Sequence, residues 1–124
     1  MKLTSFTELD CWKEARELRK EISQLTKRFP KEEKYDLTSQ IKRSSRSVTA
    51  NIAEGYGRFH YQENIQFCRI SRGSLTETLD HLIVAFDEDY IAEEELKTLQ
   101  SKLKICLRLI NGYINYLKRA KQGE

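Results

Sequence analysis

Apolar residues return every three or four positions along four successive stretches of this chain, and only one proline, Pro30, interrupts it. A period near 3.6 is that of an amphipathic helix, so each stretch must bury one stripe against its neighbours. In the first, Leu9, Trp12, Ala15, Leu18, Ile22, Leu25 and Phe29 draw the stripe. Thr7 is the expected N-cap, with Glu8 and Asp10 placing negative charge in the first turn. Pro30 ends the run, because the residue before a proline avoids helical geometry. The pattern predicts a helix over residues 9–28.

The second stretch, 35–54, aligns Leu37, Ile41, Ser44 or Ser45, Val48 and Ile52, with Gly55 as the expected C-terminal cap. The third, 61–86, runs through Ile65, Cys68, Arg72, Leu75, Leu79, Leu82 and Phe86. Gly73 in its middle costs about 1 kcal/mol relative to alanine, which suggests close helix approach there. The fourth, 92–120, aligns Leu96, Leu99, Leu103, Cys106, Ile110, Tyr113, Ile114 and Leu117. Its start is acidic (Glu93, Glu94, Glu95) and its end basic (Lys118, Arg119, Lys121), as the helix dipole favours. The expectation is all-α: one domain over residues 1–124, an antiparallel up-and-down four-helix bundle about 30–40 Å long.

Charge and cysteine usage narrow the class. The net charge of +3 conceals a division. Residues 40–72 carry six basic and two acidic side chains, 73–100 one basic and eight acidic, and 101–124 six basic and one acidic. Cys11, Cys68 and Cys106 are odd in number and widely spaced, which argues against a disulfide framework and fits a reducing cytoplasm. His60 and His81 are too far apart for a helical ligand pair, so no metal or other cofactor is expected. The start, MKLTSFTELD, lacks the apolar segment of a secretion signal, and no apolar run approaches the roughly 20 residues of a membrane span.

The segment QIKRSSRSVTANIAEGYGR, residues 40–58, departs from simple amphipathicity by placing Ser, Asn and Glu near the apolar stripe. Polar groups there need partners, so a specific packing arrangement is implied. With NIAEGYGR at 51–58, GSLTETL at 73–79, DCWKEARELRKEI near the start and the following FPKEEKYDLTSQI, the chain resembles the four-helix-bundle proteins encoded by intervening sequences within bacterial 23S ribosomal RNA genes. The resemblance covers about residues 6–117. It implies assembly into a ring-like homopentamer. The accessory variability proteins of diversity-generating retroelements are more distantly similar, and they imply binding to nucleic acid and to a protein partner. Ser44 and Ser45 stand where small apolar residues are commoner in the family, and Phe59-His60 replaces a usually small polar link.

Read without that resemblance, Asn51 and Glu54 share a helix face near the helix end. A carboxylate there opposes the dipole, so Glu54 needs a partner such as Arg58, Arg43, Arg69 or Arg72. A polar network that fixes helix register is favoured over an anion site, since no nucleophile accompanies the pair. Gly55, Gly57, Gly73, Ser74 and Glu77 join that network as capping, close-packing and hydrogen-bonding residues. Gly57 and Arg58 also lead towards free backbone N–H groups that can hold a phosphate, though a cap followed by a turn accounts for them too.

Three classes of function remain. Enzymatic chemistry is not expected, because the chain lacks a GxSxG elbow, a P-loop and a HExxH pair. Binding of RNA or DNA would fall to Lys42, Arg43, Arg46, Arg58, Arg69, Arg72, Lys118 and Arg119, with Lys102, Lys104, Arg108 and Lys121 as further cations. Lys42 and Arg46, four apart, form a ridge that a ring would repeat. A structural or protein-interaction scaffold is the third. Tyr35, Tyr56, Phe59, Tyr61, Phe67, Tyr90 and Tyr116 exceed what one small core requires, and those between 56 and 67 suit a contact between copies.

Overall fold

The computed structural model of the chain describes residues 4–123; the first three residues of the N-terminal reading, and residue 124, lie outside them. Four helices dominate, α1 (Asp10–Thr26), α2 (Leu37–Tyr56), α3 (Tyr61–Asp87) and α4 (Glu93–Gln122), and no strand occurs among the described residues. Short 3-10 turns at Phe6–Glu8 and Lys31–Glu33 precede α1 and α2.

The boundaries fall within two residues of those expected, and two caps depart from expectation. Thr7 does not cap α1. It sits in the first 3-10 turn, donating its N–H to Ser5 Oγ at 3.2 Å, and Leu9 takes the cap position with no side-chain bond. Gly55 does not end α2 either. The helix continues to Tyr56, and Gly57 closes it by donating its N–H to Ala53 O at 3.1 Å. In the first turn of α4, Glu95 turns back to accept the Ala92 N–H at 2.9 Å, occupying a donor the helix cannot reach.

Each helix packs on two others, α2 on α3 most extensively, and α1 closes the ring of contacts against α2 and α4. Ile22, Ile41, Ile52, Ile65, Leu75, Leu82 and Ile110 are fully buried at the centre. Each such side chain contributes about 1.5–3 kcal/mol by leaving water. One end brings the α1–α2 link against the α3–α4 turn, where the Phe29 and Tyr90 rings lie 5.5 Å apart and Tyr90 donates its hydroxyl to Glu33 at 2.6 Å. At the other end the α2–α3 turn meets the last turns of α4, and Lys121 Nζ donates to Gln62 Oε1 at 2.6 Å.

Candidate nucleic-acid interface

The α2–α3 seam gathers the polar residues of the 40–58 segment. Ser44 and Thr78 share a buried hydrogen bond of 2.8 Å, and Ser71 donates to Val48 O at 2.7 Å. Asn51 Nδ2 donates to Ser47 O at 2.8 Å and to Ser47 Oγ at 2.9 Å, while Ser74 donates to the same Ser47 hydroxyl at 2.9 Å. On the far side of α2, Arg19 reaches from α1 to Thr49 at 2.9 Å. Apart from the Arg19 guanidinium, these are short bonds between neutral groups. They fix how α2 and α3 mesh and supply no nucleophile.

Several expected members of this network stand elsewhere. Glu54 is exposed and pairs with Arg58 at 3.6 Å, so of its possible partners it takes the one on its own turn. It does not enter the buried seam, because its position on α2 points it to water. Arg58 also lies over the Phe67 ring, 5.0 Å from the centroid. Gly73 faces open space, with nothing within 4 Å of where a Cβ would be, so it permits no close helix approach. Gly55 does: a Cβ there would meet Asn64 Oδ1 at 2.6 Å and Phe67 Cβ at 2.9 Å. Asn64 in turn donates to the Tyr113 hydroxyl at 3.0 Å, tying α3 to α4 behind the glycine. Glu77 is exposed and bonds His81 at 3.1 Å.

The three thiols are buried and unpaired with one another. Burial pushes Cys11, Cys68 and Cys106 each up to about 12, and burial raises the Tyr113 hydroxyl to about 12 despite the opposing Asn64 bond. Thiols held protonated in this way are poor nucleophiles.

Among the cations expected to bind nucleic acid, the structure unites Arg69 and Lys118. With Lys121, Gln62, Ile65 and Gln122 they line a groove of about 340 Å³ between the start of α3 and the end of α4. Among the described residues no carboxylate lines it. Arg72, one turn further along α3, is half-buried and donates to Asn111 Oδ1 at 2.8 Å, so it serves the helix contact. Arg119 is exposed on α4 outside the groove lining. Lys42, Arg43 and Arg46 form a separate group on α2. Lys42 and Arg46 share a face with Thr49, and the Arg19 bond to Thr49 brings one α1 cation beside them. That contribution of Arg19 was missed in the sequence, because its meeting with Thr49 depends on how α1 and α2 dock.

A wider groove, about 630 Å³, lies between α1 and α4 over Leu25 and Leu99. Its cations are spoken for: Arg28 pairs with Glu95, and Lys102 with Glu21. Among the described residues no three His, Cys, Asp or Glu side chains gather as a metal site, and no helix is long and apolar enough to cross a membrane.

A comparison with curated proteins yields no match. Among solved structures the chain is similar to a protein of unknown function from the S23 ribosomal protein family of Bacteroides thetaiotaomicron, solved at 1.70 Å. The TM-score is 0.78 at 24% identity, over 85% of this chain and 95% of that one, a likeness of fold. The sequence model described as "23S rRNA-intervening sequence protein" matches residues 7–112. That span takes in the polar seam and the start of α3, and the chain belongs to the 23S rRNA-intervening sequence protein family.

Proposed function

We propose that this protein is a non-enzymatic, cytoplasmic bundle of antiparallel up-and-down helices that assembles into a homopentameric ring and binds RNA or DNA. The observation that carries the binding is the α3–α4 groove, where Arg69, Lys118 and Lys121 converge and no carboxylate of the described residues joins the lining. Cations at a concave surface attract a phosphate backbone by releasing its counterions, and a ring multiplies each groove fivefold. The antiparallel order is supported by cross-helix pairs whose numbers rise on one helix as they fall on the other: Gln62 with Lys121, and Arg72 with Asn111.

Titration with ribosomal RNA fragments at two salt concentrations, after measurement of native mass, tests this reading. Binding is expected to weaken steeply with salt and to be lost in Arg69→Glu with Lys118→Glu. The pair Lys42→Glu and Arg46→Glu gauges the second basic surface. A flat salt response overturns nucleic-acid binding, and a monomer overturns the ring.

One observation favours a scaffold without nucleic acid. Ile105, Gly112 and Tyr116 recur along one face of α4, and Ile105 and Tyr116 are 43% and 55% exposed. An assembled ring that binds nothing would leave that apolar face, and contact between copies or with another protein, as the working surface.

A further inference from the structure

Phe59 stands where neither the core nor the turn asks for a phenylalanine. Its φ of 64° lies in the left-handed region, where a residue bearing a Cβ is strained and glycine is not. Its ring is 91% exposed, so no burial offsets that strain. The bonds that close α2, from Gly57 N–H to Ala53 O and from Arg58 N–H to Gly55 O, are complete before the chain reaches it. An outlier with no return in the free molecule points to a partner outside it.

The surroundings say which kind. Gln62, three residues on, lines the basic groove and is held by Lys121. Three residues of chain span at most about 10 Å, so the Phe59 backbone lies within that distance of a residue lining the groove. Arg58 precedes it, and Tyr61, two residues later, is partly exposed. A flat ring beside a cationic track matches the two parts of a nucleotide. An aromatic anchor for another protein would instead be ringed by apolar surface.

We propose that Phe59 is a stacking platform for an unpaired base, with the α3–α4 groove carrying the adjoining phosphates. The preferred ligand is therefore single-stranded RNA or DNA, an inference that rests on the nucleic-acid reading above. A duplex hides its base faces and offers the ring nothing, whereas any unpaired base has a face to lay on it.

Fluorescence anisotropy with a labelled single-stranded oligonucleotide, and with the duplex of the same sequence, tests this on the whole chain. Phe59→Ala is expected to weaken single-strand binding roughly 5- to 150-fold, while Phe59→Tyr keeps it. Phe59→Gly should bind as poorly as Phe59→Ala without a lower Tm, since glycine relieves the left-handed strain. Native mass should be unchanged in all three variants. Wild-type affinity in Phe59→Ala, equal affinity for the duplex, or a changed native mass each overturns the stacking role. If those results come while Arg69→Glu with Lys118→Glu still abolishes binding, the groove reading survives alone. If wild-type protein binds neither form, both readings fall.

Discussion

Among the described residues two turns hold a non-glycine residue at a left-handed φ, Phe59 at 64° and Asp89 at 63°. Asp89 is built into the end of α3. Its N–H bonds Phe86 O at 3.0 Å, and the next residue, Tyr90, bonds Ala85 O at 2.8 Å, the paired closure of a Schellman cap. Aspartate tolerates this conformation, and Tyr90 then ties the turn to Glu33 and Phe29. The α2–α3 turn is fastened one step earlier, where Gly55 admits Asn64 and Phe67, and Phe59 is left outside. The same backbone geometry thus belongs to the fold at one end and to the surface at the other. Stability should depend on the α3–α4 turn and on Gly55, while Phe59 should be free to answer to a ligand.

The largest effect is expected where the α2–α3 fastening is struck. A Cβ at Gly55 would lie 2.6 Å from Asn64 Oδ1, 2.9 Å from Phe67 Cβ and 3.1 Å from the Asn64 backbone oxygen. Two of those three atoms sit on or next to the backbone and cannot swing aside. Gly55→Ala should therefore cost about 1–3 kcal/mol in urea unfolding, as overpacking does. Gly73→Ala, in open space on an exposed stretch of α3, should gain about 1 kcal/mol. Equal behaviour of the two glycines would erase the distinction between a fastened seam and a free helix face.

Alkali should act on the other end and on the core. The Glu33 carboxylate accepting its proton holds the Tyr90 hydroxyl up to about 12, from an ordinary 10.0, and burial holds the three thiols at about 12 from 9.0. Between those values the unfolded chain has released protons that the folded chain retains, so unfolding free energy falls as pH rises. Thermal melts should give a stability that is full below about pH 9 and lost progressively towards pH 12. Tyr90→Phe should remove the part that belongs to the α3–α4 turn. A melting temperature flat across that window would mean that neither the thiols nor Tyr90 differ between the two states.

What the sequence disclosed and what it withheld divide along a physical line. The stripes through Ile22, Ile41, Ile65 and Ile110 were legible because a helix's buried face repeats with its own period. Pro30 and the acidic start of α4 were legible because they act within one turn of the chain. Close helix approach was expected at Gly73 and only a cap at Gly55, yet it occurs at Gly55, since what decides it is the neighbouring surface: Asn64 and Phe67 stand over one and nothing over the other. Arg69 and Lys118 could be named as cations, but their meeting in one groove depends on how α3 and α4 dock. The strain at Phe59 left no trace in residue order, because a left-handed φ at a phenylalanine is a feature of the folded turn alone.

The smallest effect should come from Glu54, the residue whose charge at a helix end most invited a structural role. Its 3.6 Å pair with Arg58 joins side chains that are both about half exposed. Such pairs are worth no more than a few tenths of a kcal/mol, because water screens them and two long side chains must be held still. Loss of the carboxylate also removes an unfavourable contact with the negative end of α2, which offsets part of that cost. Glu54→Gln should therefore change stability by less than about 0.5 kcal/mol, with Arg58 still free to rest on Phe67. A loss well above that, if it depends on protein concentration, would place Glu54 against a second copy of the chain. The α2–α3 end would then be an interface between copies, and the contrast with the α3–α4 turn would have to be redrawn as one between two kinds of contact.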